Sequence, residues 1–481
     1  MARLGLTLVA LLSACYFYGV GFNLIFLLPA LLAPLLLIAT CSVRRIMAVL
    51  QANRLLMWLS GLTLLLLVGH QLFFSISPDT SYAASLIAAA LPLWALVAVL
   101  YERRARLVRV VFAVVLMFAC ISTVDYLVSG QRAHAPLWDP NNFVSLLYLA
   151  WMPWAFARLA DAPDTRGGLG WTLLISMIFA LALLAAHSRV AMMVVAGVAV
   201  GGLLCCWWFR LQWRHSIALA LACLLAAGLY LGIDPSGASS AVTPQTVSDS
   251  GDHRLLMLEA ALAAVRDFGG VHGTGLYTFA QLYPLYRSPL EQNTVGVFVH
   301  NDYVQILLEG GVWLALPLLL LCACVVFTGL RLAAARIWHP RIGLLLAVGC
   351  VMVHAAVNYV FYVLPLTLVL GLYIGVLFAR EPLQAGNTRG GAVPMASAAK
   401  WTGVVLLALN CFYLCIDAMT LGVFANQLHV PAAAHIKSDP ARMLAYARFA
   451  QTVNSSRGVP VLGEAMLLDN QLSSDSPRAQ V

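Results

Sequence analysis

Long apolar blocks alternate with short polar segments along most of the chain, and the blocks exceed what a soluble core helix needs. A helix takes about 20 mainly apolar residues to cross a hydrocarbon core. Windows of that length predict about thirteen spans, at 4–22, 23–40, 55–74, 82–101, 108–129, 141–157, 171–187, 189–209, 216–233, 302–328, 342–362, 363–379 and 401–423. The first two abut at Asn23 and 363–379 is short, which leaves room for about eleven to fourteen helices.

Two polar stretches are long enough to fold outside the membrane. The first, 234–301, opens with the disordered-looking run PSGASSAVTPQTVSDSG. A helix follows, with Asp252 as its N-cap and RLLMLEAALAAVRDF as its body, then GGVHGTG as a flexible turn and the aromatic run LYTFAQLYPLY. The second is the tail from Phe424, where Asp439-Pro440 starts a helix over ARMLAYARFAQTV and a weaker one lies near Val461 to Leu472. A helix-bearing loop between spans is usually a functional one.

Of the 481 residues 62% are hydrophobic and 10% charged, against about a quarter charged in soluble proteins, which excludes a water-soluble enzyme. The net charge of +8 is not a nucleic-acid footprint, because the basic residues punctuate the apolar blocks instead of gathering on one face. With the N-terminus inside, the inner segments hold 18 Lys and Arg; the outer ones before the last span hold five, Arg132, Arg189, Arg254, Arg266 and Arg287. Met1 to Phe22 has one Arg and no small-residue cleavage site ahead of a polar mature start, so it reads as a retained span. All eleven Cys fall within or at the ends of spans, in no disulfide or zinc pattern.

Charge beside a bilayer persists where it lines a polar cavity or has a partner. Arg189 in AAHSRVAMM, Arg254 at the start of the loop helix, His300 in VHNDYVQILLEGG, and His354 with Asn358 inside a later span are the places to look. Each also has a plain reading: Arg189 snorkelling to headgroups, Arg254 solvated, the His300-Asn301-Asp302 run capping a helix, and His354 and Asn358 bonding to a neighbouring helix from one helix face. Together, arginines and a histidine on one outer face, with no acidic cluster for Mg or Mn, imply a phosphate or pyrophosphate, carried on a lipid and held by protein cations. A neutral histidine beside it is a general base.

The order of these motifs resembles the O-antigen ligase family, which includes O-antigen ligases, polysaccharide polymerases and protein O-oligosaccharyltransferases. The resemblance rests on an SR pair between two spans, Arg254 to Leu258 as R-x3-L, GGVHGTGLYTFAQLYPLY, and His300-Asn301 followed by nine residues and Gly311. DPNNF (Asp139 to Phe143) and VHAAVNYVFY add to it, and the likeness covers roughly 130–380. One position departs: the ligase pattern has Gly, Thr or Tyr three residues after that glycine, and this chain has Leu314.

The resemblance implies an all-α polytopic membrane protein of about 12–13 spans with the C-type glycosyltransferase fold and a large periplasmic loop. Its implied segments are N-terminal helices at 1–129, a catalytic region at 130–380 containing the loop 234–301, a cytoplasmic loop at 381–400, a last span at 401–423 and a periplasmic tail at 424–481. It implies an inverting, metal-free transfer of a glycan from undecaprenyl pyrophosphate to a hydroxyl, on the periplasmic side of a bacterial inner membrane. No cofactor is implied. Arg189 and Arg254 would bind the pyrophosphate and His300 would activate the acceptor, with Arg287, Asn301, Tyr303 and His272 in second rank. The acceptor hydroxyl stays open among lipid A core, a growing polysaccharide and a protein, and a lipid-linked glycan flippase is the reading from another class.

Overall fold

Backbone groups within a bilayer find no water, so apolar blocks of this length are satisfied as helices. The computed structural model describes residues 2–380, apart from 20–26, 131, 134–135, 138, 161–165, 234–243, 269, 289–295, 337 and 340. Among the described residues the regular structure is helical with no strand: α1 (Ala2–Gly19), α2 (Leu27–Ala39), α3 (Val43–Ala52), α4 (Arg54–Phe73), α5 (Pro78–Leu100), α6 (Arg104–Ser129), α7 (Pro140–Arg158), α8 (Arg166–Ala185), α9 (Arg189–Phe209), α10 (Trp213–Ile233), α11 (Pro244–Phe268), α12 (Phe279–Tyr286), α13 (Asp302–Ala335), α14 (Ile342–His354) and α15 (Leu364–Phe378). Six of these, α4, α6, α8, α9, α10 and α13, are long and apolar enough to cross a membrane; α1, α2, α5, α14 and α15 hold shorter apolar stretches. The chain is an all-α polytopic membrane protein.

Apolarity around a whole helix marks a buried one, and α7 and α15 are enclosed along almost their full length. Small residues let α15 approach α5 closely: a Cβ added at Gly371 or Gly375 would lie 2.3 Å from Leu91 O or 2.4 Å from Ala95 O. Peripheral helices instead turn Leu65, Met193, Leu224 and Phe327 outward, as a lipid-facing surface requires. At the end of the bundle away from α11, Arg45 Nε donates to Leu100 O at 2.8 Å and pairs with Glu102, and buried Arg104 donates to the carbonyls of Ala98 and Val99.

Several sequence expectations change. The stretch 41–54, expected as a loop, contains α3, capped by Ser42 Oγ accepting from Arg45 N. The loop helix begins at Pro244, not at Asp252, so all of PQTVSDSG is helical and Asp252 lies inside α11; Pro suits a first helical position, where its missing N–H costs nothing. The span predicted at 342–362 ends at His354, and 355–363 is non-helical. His354 and Asn358 therefore do not share a helix face. Helix α13 runs on to Ala335 through a kink at Gly311. The junction at Asn23, the opening of the 234–301 run, the span 401–423 and the tail helices lie outside the described residues.

Candidate functional site

The starts of α7 and α9 and a side chain from within α11 converge at the loop end of the bundle. Asp139 is the N-cap of α7, its Oδ1 accepting from Asn141 N at 3.1 Å. Ser188 precedes α9 and donates to Asn141 Oδ1 at 2.7 Å, which ties the start of α9, and with it Arg189, to the start of α7. Arg254 reaches the same place from α11, half-buried like Arg189.

The electrostatics record their proximity. The Arg254 guanidinium is shifted down from its ordinary value by burial first and then by Arg189, while Asp139 opposes the shift. Burial raises the Asp139 carboxyl, against N–H groups of Asn141 and Asn142, the charge of Arg132 and the Tyr359 hydroxyl. His300 falls from 6.5 to about 4, through burial and then Arg254, with Asn358 acting in the other direction. His300 is thus neutral at pH 7. An anion placed between two guanidiniums that repel each other in a partly desolvated place would convert repulsion into attraction.

His300 is held by a frame of buried acceptors. Its own φ is 57°, in the left-handed region, where a non-glycine residue persists only if its surroundings fix it. Asn301 next to it caps α13, accepting from Val304 N at 3.1 Å. Asp302, fully buried, accepts at Oδ2 from Val360 N at 2.6 Å and Phe361 N at 2.9 Å, and its own N–H donates to Ala355 O at 2.8 Å. These bonds satisfy the segment where the span is broken and carry Asn358 and Tyr359 to His300. On the preceding side, Gln305 Oε1 accepts from Val299 N at 3.0 Å.

One turn further along α13, the Glu309 carboxylate collects four donors: Tyr277 N at 2.6 Å, Phe279 N at 3.0 Å, Gln305 Nε2 at 3.1 Å and the Tyr362 hydroxyl at 2.5 Å. It binds the aromatic loop segment, α13 and the broken span to one another. A buried carboxylate is tolerated only with such saturation.

The structure brings Arg189, Arg254 and His300 into one cluster. The second-rank residues do other things. Asn301 is a cap. Tyr303 points into the bundle, its hydroxyl donating to Met352 O at 2.7 Å. His272 is exposed, its ring stacked on Phe74 with centroids 4.6 Å apart and its carbonyl accepting from His70 Nε2 at 2.7 Å. Arg287 is exposed at the end of α12, 6.0 Å from the Tyr283 ring centroid. His354 and Asn358 each bond to α7: His354 Nδ1 with Ser145 Oγ at 2.8 Å, and Asn358 Nδ2 to Asn142 Oδ1 at 3.2 Å.

Three members of the cluster were missed as site residues. Asp139 and Tyr359 lie in segments that stand out in the sequence only through the family resemblance, and Arg132 enters it only through topology. The signal for Asp139 was available, since an Asp-Pro pair opening a span puts a carboxylate at a helix start. That for Arg132 was its place against the charge bias.

Residues 174–319 match the family model described as O-Antigen ligase. No curated protein matches the chain. The matched stretch runs from α8 into α13 and includes the kink at Gly311. This polytopic membrane protein is therefore similar to the O-antigen ligase family over that stretch, and Arg189, Arg254 and His300 all fall inside it.

Proposed function

We propose that the protein is a ligase- or polymerase-type membrane glycosyltransferase that moves a glycan from undecaprenyl pyrophosphate to a hydroxyl of lipid A core or of a growing polysaccharide. The ligase-domain match supports a glycosyltransferase of this type in general. The observation that carries the finer reading is the pairing of Arg189 and Arg254 beside a neutral His300.

In this reaction the acceptor oxygen attacks the anomeric carbon while the bond from that carbon to the pyrophosphate oxygen breaks. The departing oxygen keeps the electron pair, so negative charge grows on the phosphates. Guanidiniums already in place stabilise that charge more in the transition state than in the ground state. His300, uncharged, accepts the hydroxyl proton. A single displacement inverts the anomeric configuration. Protein cations do the work of a divalent ion, and the cluster faces the periplasm of a bacterial inner membrane.

The test uses the full chain in proteoliposomes with undecaprenyl-pyrophosphate-linked glycan, lipid A core as acceptor, and chelator present. Wild type should form a new glycosidic bond and His300→Ala should not. Full transfer by His300→Ala would remove the base, and loss of wild-type transfer with chelator would remove the metal-free mechanism.

A further inference from the structure

Asn358 is 1% exposed, and its two amide ends have different surroundings. The Nδ2 end is occupied by Asn142 Oδ1, on the equally buried Asn142 of α7. That bond fixes which way the amide faces and leaves Oδ1 over. His300 and Asn358 interact through their side chains, yet His300 Nδ1 and Asn358 Oδ1 are both enclosed without a bond of good geometry to any described group. A proton on Nδ1 given to Oδ1 would satisfy both atoms at once. Catalytic hydrogen bonds of this sort are often long in an unliganded enzyme and tighten when substrate binds.

We infer that Asn358 is the positioning residue of His300: its Oδ1 holds the ring proton on Nδ1 and leaves the Nε2 lone pair to receive the proton of the acceptor hydroxyl.

The surroundings hold the pair in register. Asp302 grips the backbone two and three residues beyond Asn358 and bonds to Ala355 before it, so Asn358 is clamped on both sides. Tyr359 meets the imidazole edge-on with centroids 5.3 Å apart, and is itself stacked on Phe298 at 3.9 Å. The ring cannot swing without displacing that stack. Among the described residues the charged group acting on the ring is Arg254 from α11, and Tyr359 is the titratable group packed against it. An amide suits this position better than a carboxylate, because it fixes the tautomer without pairing with an imidazolium and so keeps the base free.

In the reaction the hydroxyl proton passes to Nε2, the oxygen bonds to the anomeric carbon, and the electron pair of the breaking bond leaves on the pyrophosphate. The resulting imidazolium carries a proton on each nitrogen, that on Nδ1 still bonded to Asn358, until Nε2 returns its proton to solvent. The catalytic part of this inference rests on the glycosyltransferase reading above; the tautomer does not.

The experiment is nitrogen NMR on the full chain in lipid nanodiscs with labelled histidine, His300→Ala supplying the assignment, together with pH profiles of transfer. At pH 7 wild type should show Nδ1 protonated and Nε2 bare. Asn358→Asp keeps an acceptor oxygen but cannot donate to Asn142, and Asn358→Leu has neither end. The Asp variant should therefore keep the Nδ1–H tautomer, and its new charge should move the acidic limb of kcat/KM upward by about one pH unit or more. The Leu variant should mix the tautomers and lose roughly tenfold or more in kcat, with affinity for undecaprenyl pyrophosphate unchanged. Protonation of Nε2 in wild type overturns the inference, as does equal loss in both variants with no movement of the limb, the outcome if only the Asn142 bond mattered. If the Leu variant does not fold, the wild-type and Asp spectra decide. If wild type forms no glycosidic bond, the proposed function fails while the spectra still decide the tautomer.

Discussion

Gly311 and Gly273 meet backbone to backbone. A Cβ on Gly273 would lie 2.5 Å from Gly311 N and from Glu309 O, and one on Gly311 would lie 2.4 Å from Val271 O. Gly311 has φ 62° and Gly273 φ 74°, so both also hold conformations in which a side chain is strained. The loop segment 270–275 is thus seated in the kink of α13, with Val312 N donating to Gly270 O at 2.9 Å and Gly275 N to Glu309 O at 2.7 Å. The glycine that closes the His-Asn-x9-Gly spacing has a physical reason: it fastens the loop to the helix that starts beside His300. Gly311→Ala should unseat the loop, at a cost of about 2 kcal/mol or more. Limited proteolysis should then cut within 270–300 faster than in wild type, and transfer should fall with it.

Glu309 makes a second fastening, and its removal leaves four donors to be satisfied. Glu309→Leu should destabilise the protein by about 3 kcal/mol or more, read as a drop in the thermal midpoint in detergent. Glu309→Gln keeps the shape and one acceptor oxygen, and should lose less. Equal midpoints for wild type and the Leu variant would show that the carboxylate does not hold the loop.

The pH dependence follows from His300. With its pKa lowered to about 4, the base is neutral above that value, so kcat/KM should rise with an acidic limb near pH 4 and stay level through neutrality. An ordinary histidine would put the limb near 6.5. A bound pyrophosphate brings negative charge that offsets Arg254 and favours the imidazolium, so the limb in kcat should lie above the limb in kcat/KM. The same shift bears on stability. Between pH 6.5 and about 4 the unfolded chain binds a proton that folded His300 refuses, so this contribution is complete above 6.5 and is lost as the pH falls towards 4. A transfer profile with its limb unchanged in His300→Ala would contradict the assignment.

Arg254→Lys preserves the charge and removes the forked donor. On a pyrophosphate held by two guanidiniums that substitution is not conservative, and kcat/KM for the lipid-linked donor should fall roughly tenfold or more. Arg287→Lys, at an exposed residue beyond α12, should change it by less than about twofold. A comparable loss in both variants would mean that only overall positive charge matters.

Much of this was legible in the sequence because bilayer physics is blunt. Apolar length gave most of the spans, and an arginine placed against the charge bias pointed to the cluster. What escaped was set by contacts between distant segments. Nothing local in 342–362 marks the helix end at His354, because the bonds that satisfy the unwound backbone come from Asp302, 58 and 59 residues away. The same absence hid Tyr359 and made His354 and Asn358 look like partners on one helix face. Tyr303 stands in the second rank because it follows His300 closely in sequence, but the helix beginning at Asp302 turns it into the bundle toward Met352. The early start of α11 at Pro244 shows a Ser-, Asp- and Gly-containing run taken into a helix against weak intrinsic preference.

The most direct measurement is an electron cryomicroscopy map of the full chain in nanodiscs with undecaprenyl pyrophosphate bound. Phosphate density should lie between the guanidiniums of Arg189 and Arg254, with the His300 ring facing it across the space that an acceptor would enter. Density held elsewhere on the protein, with those two arginines turned away from it, would contradict the account.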